Sequence, residues 1–218
     1  MPPRTLSEFQ DDPRARDYLD RYADPAGHFA FRAYDQTPVD PRQRLTASDV
    51  LMANLLGMRF VWQDVTPLFA AGDGDHQKLR RALDDALYEA RSLPALEDCT
   101  PQQAQMPALR HANELAIALP VHPGMKTRRW GLAGVSKTLH RLSRNIPIVD
   151  RTVRDFYDSN LGGVIRERMR QDLVANRAWM APLATWHQVR GKPLPLTRMA
   201  DILIWMDART NGTPEAAG

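Results

Sequence analysis

Apolar residues recur at helical spacing in one segment after another along this 218-residue chain. The longest such segment runs from Gly163 to about Val189, and two others cover about residues 75–91 and 100–119. Apolar residues three and four positions apart lie on one face of an α-helix, whereas a half-buried strand alternates every second residue. Residues 28–34 alternate weakly and predict a short strand. The pattern therefore predicts an all-α fold, a helical bundle whose apolar faces meet in a core.

Residues near the ends of these segments predict the organisation of the chain. We expect Thr46 or Ser48 to cap an early helix, Thr197 to cap the last one, and Pro182 to break or kink the longest one. The face of that helix opposite its apolar stripe carries Arg166 and several other arginines, which we expect at the surface. We predict a single helical domain over residues 1–210, with 1–60 plus 155–210 and 61–154 as two lobes around a cleft, and a flexible tail over 211–218.

The composition excludes several classes of protein. A single cysteine, Cys99, excludes an internal disulfide and a thiolate-rich metal site. No apolar run approaches the roughly 20 residues of a membrane span, and the amino terminus lacks the apolar core of a signal peptide. We therefore expect a soluble, cytoplasmic protein without a membrane partner. His111, His122 and His187 show no paired ligand spacing, so we predict neither a metal site nor a cofactor. The oligomeric state stays open.

Positive charge is concentrated between Lys126 and Arg154. This segment contains eight Lys or Arg and one acid, Asp150, which gives a net charge of +7, whereas the whole chain carries only +3. A concentrated positive field on an otherwise slightly acidic protein favours a polyanionic partner, and duplex DNA is the first candidate. The alternative interpretation is that these basic residues form an ordinary solvated face without a partner.

Within this segment, the sequence Trp130-Gly-Leu-Ala-Gly-Val-Ser136 predicts the tight bend of a helix-hairpin-helix motif, with the bend at Gly134. In that motif the backbone amides at the bend bind a phosphate, and the following helix presents basic side chains to the nucleic-acid backbone. Lys137, Arg141 and Arg144 would fall on one face of that helix. The predicted nucleic-acid-binding residues are Gly134, Val135, Ser136, Lys137, His140, Arg141 and Arg144.

The chain then continues Ile146-Pro-Ile-Val-Asp150-Arg-Thr-Val-Arg154, in which one carboxylate separates an apolar run from the start of a helix. Together with the predicted bend, this pattern resembles the helix-hairpin-helix DNA glycosylase superfamily over about residues 130–157, although Ser136 stands where that superfamily has its second hairpin glycine. The chain also resembles an uncharacterised bacterial family of unknown function, which carries the same Ile-Pro-Ile-X-Asp stretch and a Tyr-Asp pair, here Tyr34-Asp35.

The resemblance to the glycosylases implies an N-glycosylase-like hydrolase. Asp150 would stabilise an oxocarbenium-like centre and orient water, and Lys137 would be the nucleophile of a bifunctional member. Trp130 and Tyr157 would hold the flipped base in a substrate pocket. Three alternatives stay open: Asp150 acts only as a helix N-cap, the protein is a non-catalytic DNA-binding module, or it is an enzyme that binds a small anionic substrate through the same basic pocket.

Overall fold

The structure is a computed structural model that describes residues 4–40, 44–121 and 129–211, apart from the side chains of Arg32 and Asn211. His122, Lys126 and Arg128 lie outside the described residues, as do residues 212–218 of the tail predicted over 211–218, whereas Asn211 is the last residue of the final helix. The described part forms ten α-helices and one two-stranded antiparallel sheet, so the predicted all-α fold is confirmed. The elements are α1 (Arg14–Ala23), α2 (Ala47–Met52), α3 (Trp62–Phe69), α4 (Asp75–Ser92), α5 (Pro101–Gln105), α6 (Pro107–Ala118), α7 (Leu132–His140), α8 (Arg151–Phe156), α9 (Gly162–Ala184), β1 (Gln188–Val189), β2 (Lys192–Pro193) and α10 (Leu196–Asn211).

The weakly alternating residues 28–34 do not form the predicted strand. Phe31–Asp35 instead form a short π-helix, in which the backbone amide of Gln36 donates to the carbonyl of Phe31. Alternation over so few residues is a weak signal, and here the local backbone hydrogen bonds of a helical turn prevail. Three short 3-10 helices, Leu6–Phe9, Ala53–Leu56 and Leu96–Asp98, complete the helical content of the described chain.

Of the two helix caps predicted from the sequence, the one for α2 is confirmed and the one for α10 is wrong. Thr46 caps α2, because its hydroxyl accepts the backbone amide of Asp49 while the Asp49 carboxylate accepts the amide of Thr46. Thr197 is not a cap, since α10 already begins at Leu196 and the Thr197 hydroxyl donates to the Arg144 carbonyl over 2.6 Å. Pro182 lies inside α9, which ends two residues later.

Two clusters of buried apolar side chains hold the helices together. The first cluster joins the amino-terminal residues, α1, α8, α9 and α10, and includes Met169. The second cluster joins α2, α3, α4, α6 and α7, and includes Leu83. The chain passes between the clusters more than once: the buried apolar residues of 96–104 belong to the first cluster although α4 and α6 belong to the second, and the chain returns to the first cluster between Ile146 and Val149. The division into two lobes with the boundaries expected from the sequence stays a prediction.

Candidate functional site

The segment expected to bend at Gly134 is a continuous helix. α7 runs from Leu132 to His140, and Gly134, Val135 and Ser136 are buried within it. The prediction of a hairpin with exposed amides is therefore wrong. A Cβ atom on Gly134 would lie 2.8 Å from the Arg129 carbonyl oxygen and 3.1 Å from Cζ of Phe60, so the glycine permits close packing and makes no turn.

The basic side chains that follow do not form a cationic surface. Arg141 pairs with Asp49 over 2.9 Å and Arg144 pairs with Asp35 over 3.0 Å, and both arginines are largely buried. His140 is fully buried, and its Nδ1 lies 2.7 Å from the Ile146 carbonyl oxygen. Burial lowers the pKa of His140 well below its usual value, so its ring is neutral at physiological pH. These contacts correct the prediction that Arg141, Arg144 and His140 face a nucleic acid.

Asp35, the acid that pairs with Arg144, belongs to a buried ion network built from distant parts of the chain. Asp35 accepts hydrogen bonds from Arg144 and from both Nε and Nη2 of Arg198. Arg198 also contacts Asp201 and donates to the Tyr22 hydroxyl over 2.7 Å. Burial raises the pKa of Asp201 to about 6, although Arg198 opposes that shift. We call Asp35, Arg144, Arg198 and Asp201 the buried ion network.

Asp150 and Lys137 form a pair that keeps partial access to solvent. Asp150 caps α8, because Oδ1 accepts the backbone amide of Val153 over 3.2 Å, as the alternative interpretation of this residue predicted. Its Oδ2 lies 2.9 Å from Nζ of Lys137, which also donates to the Leu56 carbonyl over 2.8 Å. The side chains of Lys137 and Asp150 are 12% and 14% exposed. Both groups therefore have protein partners, and their catalytic roles stay predictions.

The two aromatic residues expected to hold a substrate are both buried, and they lie in different clusters. Trp130 packs in the second cluster, with its ring 4.6 Å from the ring of Phe60, and its Nε1 donates to the Asp64 carbonyl. Tyr157 packs in the first cluster against Phe156. In this structure the two rings therefore do not line one pocket with Asp150.

A pocket of about 170 Å³ lies elsewhere, between α6 and the first residues of α7 and α9. The two helix starts touch there, since a Cβ atom on Gly162 would lie 3.3 Å from Cδ2 of Leu132. The pocket is lined by Arg110, Asn113, Glu114, Ile117, Leu132, Asn160, Leu161, Gly162, Gly163 and Arg166.

The start of α9 brings unsatisfied backbone amides to this pocket. The first amides of a helix have no intrahelical acceptor, and the aligned peptide dipoles make that end partly positive. Leu161, the N-cap residue, offers no side-chain acceptor, and the first turn contains no acid. α9 is 23 residues long, and its amino-terminal end carries neither a polar cap nor a carboxylate.

Arg166 lies one turn further along α9 and is almost fully buried, with 2% of its surface exposed. Its Nε and Nη2 donate to the carbonyls of Ala104 and Gln105 over 3.1 Å and 2.6 Å. Among the described residues no carboxylate lies within ion-pair distance of it. Burial lowers its pKa to about 10, so the guanidinium remains charged at neutral pH.

Asn113 on α6 completes the polar part of the pocket. It is 9% exposed, and its Oδ1 is buried without a hydrogen-bond partner in the described structure. The Nδ2 atom of Asn113 lies 3.9 Å from the position that a Cβ atom on Gly162 would occupy, and Nη1 of Arg166 lies 3.6 Å from the same position. A buried amide, a buried guanidinium and a bare helix end therefore face the same small space.

The sequence analysis assigned Arg166 to a solvated helix face and missed this site. A signal was present, because two glycines stand at the start of the longest periodic segment with an arginine three residues after them. Glycines at a helix start allow a ligand to approach the backbone closely, and the side chain four residues after Gly162 projects from the same side of the helix. Periodicity alone does not distinguish that arrangement from an exposed arginine.

These observations define a protein of the all-α class in which a bare helix end, a buried arginine and a buried amide line one pocket. The chain belongs to DUF6308, a family of unknown function whose model matches residues 15–208, and this confirms the resemblance to an uncharacterised family. No curated protein and no solved structure matches it. Neither the comparisons nor the helical course of α7 supports the resemblance to the DNA glycosylases.

Two further properties concern the described residues alone. None of their helices combines the length and the hydropathy that a bilayer crossing requires. In the same residues, His, Cys, Asp and Glu side chains form no group of three or more that could hold a metal ion.

Proposed function

We propose that the protein binds a small anionic ligand in the pocket at the start of α9. The observation that carries the proposal is the buried guanidinium of Arg166, which faces this pocket without a carboxylate partner in the described part of the chain. Glu89 acts on this charge from beyond ion-pair distance, so part of the cost of burying the guanidinium remains, and a bound anion offsets it. The same pocket collects the other groups that an anion requires.

Three kinds of donor are available to one anionic group. The free amides of a helix start bind carboxylate or phosphate oxygens, and the favourable interaction with the helix dipole is about 0.3–2 kcal/mol, depending on burial. Hydrogen bonds from a guanidinium to an anion are about twice as strong as those between neutral groups. Asn113 adds its Nδ2 as a neutral donor on the Gly162 side of the pocket, whereas its Oδ1 is an acceptor and does not bind an anion. This donor set suits a single carboxylate or phosphate group.

Substitution of Leu161 by Asp tests the proposal, because the new carboxylate can accept the free amides of α9 and compete with a ligand. Leu161 is 67% exposed, so the change disturbs no core contact. We expect Leu161→Asp to raise the free energy of unfolding by about 1 kcal/mol and to weaken anion binding about fivefold or more. Binding is measured by titrating ¹⁵N-labelled protein with acetate, phosphate and sulfate at constant ionic strength, following the amides of Gly162 and Gly163.

Leu161→Ala is the matched control, because it removes the same apolar side chain without adding an acceptor, and anion affinity should stay unchanged. A further variant addresses the space beside Arg166. The Cβ atom of Gly162→Ala would lie 3.3 Å from Cδ2 of Leu132 and 3.6 Å from Nη1 of Arg166, inside the pocket, and should weaken binding. The proposal fails if none of the three anions shifts the Gly162 and Gly163 amides.

Duplex DNA is a separate titrant in the same experiment. A small-anion site predicts that DNA perturbs these amides no more strongly than phosphate does. If duplex DNA shifts them at much lower concentration than phosphate, with an affinity that falls steeply with salt, a nucleic-acid partner is favoured over a small ligand.

A second candidate is the N-glycosylase-like activity expected from the sequence, and the observation that favours it is the partly exposed pair of Lys137 and Asp150, 2.9 Å apart. Asp150 would stabilise the oxocarbenium-like centre of base release. We expect Asp150→Asn to abolish that activity while α8 stays capped, since Asn is as good an N-cap as Asp. The assay is base release from damaged or mismatched duplexes, with borohydride trapping of the wild type and of Lys137→Ala. Absence of base release by the wild-type protein from every duplex would exclude this candidate.

A further inference from the structure

Apolar side chains surround the donors of the α9 pocket. Ile117 and Leu161 both line the pocket and are exposed, at 48% and 67%. Leu132 forms a third apolar wall beside Gly162. Exposed apolar side chains that converge on a concave site typically cover an apolar part of a ligand. The ligand therefore needs an apolar body beside its anionic group.

The charges around the pocket favour a ligand with one negative charge. Arg166 is the one buried cation that lines the pocket. Arg110 lies at the solvent-exposed rim, where its Nε is 3.8 Å from Oε1 of Glu114. Glu89 already acts on Arg166 and Glu114 lies at the rim, so a second negative charge on the ligand would be repelled without a second buried cation to balance it.

The size of the pocket limits the ligand to a small molecule. Its volume of about 170 Å³ is the volume that about five or six water molecules occupy in the liquid. That volume holds a carboxylate and a chain of a few carbon atoms. An internal phosphate of a duplex carries a sugar on both sides, and a pocket of this volume does not hold those sugars together with the phosphate.

We propose that the ligand is a small monocarboxylate with an apolar body, bound with its carboxylate on the start of α9, Arg166 and Asn113 and with its apolar body against Ile117 and Leu132. This inference rests on the proposed anion-binding function and specifies the ligand. In this inference the uncapped helix end binds one carboxylate, and the exposed apolar side chains contact the hydrocarbon chain attached to that carboxylate.

Hexanoate is a suitable probe, compared with acetate, 1-hexanol, hexyl phosphate and inorganic phosphate in the ¹⁵N titration described above. Each buried methylene contributes about 0.8 kcal/mol, so we expect hexanoate to bind about tenfold or more tightly than acetate, even with a partly buried chain. 1-Hexanol should leave the amides of Gly162 and Gly163 unshifted because it carries no charge. Hexyl phosphate, which has the same chain and a larger charge, should bind less tightly than hexanoate.

Ile117→Ala tests the apolar wall separately from the donors. It should weaken hexanoate about threefold or more and leave acetate unchanged. Val174→Ala is the matched control, because Val174 is similarly exposed, at 50%, on α9 and does not line the pocket. Both changes affect exposed side chains, so folding should be retained.

The outcomes separate this inference from the proposed function. If acetate and phosphate shift the α9 amides but hexanoate binds no more tightly than acetate, or hexyl phosphate binds best, the monocarboxylate assignment is wrong and anion binding stands. Equal loss of hexanoate binding in Ile117→Ala and Val174→Ala would also overturn the assignment. If no anion in the panel shifts these amides, the proposed function itself fails.

Discussion

Substitution of Arg198 by Met is expected to cost the folded protein about 3–5 kcal/mol of unfolding free energy. Native domains are stable by only about 5–15 kcal/mol in total, so the variant should be partly or largely unfolded at 37 °C. Arg198 is 1% exposed and makes two charge-assisted hydrogen bonds to the fully buried carboxylate of Asp35. Its removal leaves that buried charge with Arg144 as its one ion-pair partner among the described residues.

The physical reason is the asymmetry between forming and breaking a buried ion pair. A buried pair adds little net stability because both ions lose hydration, whereas removal of one partner leaves the other charge buried and uncompensated. The effect extends further here, since Arg198 also contacts Asp201 and the Tyr22 hydroxyl. Methionine roughly matches the length of the aliphatic part of arginine, so the loss reflects charge and hydrogen bonding more than an empty cavity.

Urea unfolding followed by circular dichroism at 222 nm measures this difference. Arg177→Met is the matched control, because Arg177 pairs with Asp98 while the two side chains are 54% and 44% exposed. Exposed pairs contribute about 0–1 kcal/mol, so the control should unfold close to the wild type. If Arg198→Met loses no more stability than Arg177→Met, the buried ion network does not support the fold as inferred.

The sequence predicted the helical elements of the fold well, because helix formation depends on local patterns. The segment predicted at 75–91 is α4 (Asp75–Ser92), and Thr46, one of the two caps predicted for α2 beside Ser48, is the residue that caps it. The region predicted at 100–119 is divided at Met106, whose φ of 45° ends α5 and starts α6. Pro107 is the local signal for this break, because the residue before a proline is disfavoured in the α region and proline favours the first position of a helix. The sequence analysis did not use that signal, and the left-handed conformation itself is one that methionine rarely adopts.

The sequence did not predict where the charges lie, because ion pairing depends on contacts between distant residues. Arg141 follows its partner Asp49 by 92 positions, and Arg198 follows Asp35 by 163. A count of basic residues in one segment therefore overestimates its exposed positive charge. Arg166 was misassigned for the same reason, since the carbonyls that hold it belong to α5, more than 60 positions earlier.

The sequence analysis explained Gly134 by a backbone bend, whereas the structure explains it by close packing against Arg129 and Phe60. A substitution distinguishes the two explanations. In an exposed helix interior, replacing Gly by Ala stabilises by about 1 kcal/mol. At Gly134 a Cβ atom would lie 2.8 Å from the backbone oxygen of Arg129, a contact that neither partner relieves without moving the backbone. We therefore expect Gly134→Ala to lower the free energy of unfolding by about 1–3 kcal/mol.

A double-mutant cycle with Phe60 identifies the cause. Overpacking predicts that Gly134→Ala costs less in a Phe60→Leu background, since Cζ of Phe60 lies 3.1 Å from the added methyl group and leucine lacks that atom. The expected coupling is about 0.5–1 kcal/mol, measured by urea unfolding of the four proteins. Gly163→Ala, whose Cβ makes only ordinary contacts, is the control and should be neutral or stabilising. The contact with the Arg129 oxygen is present in both backgrounds, so zero coupling would assign the whole cost of alanine to the backbone and would exclude Phe60 as its cause.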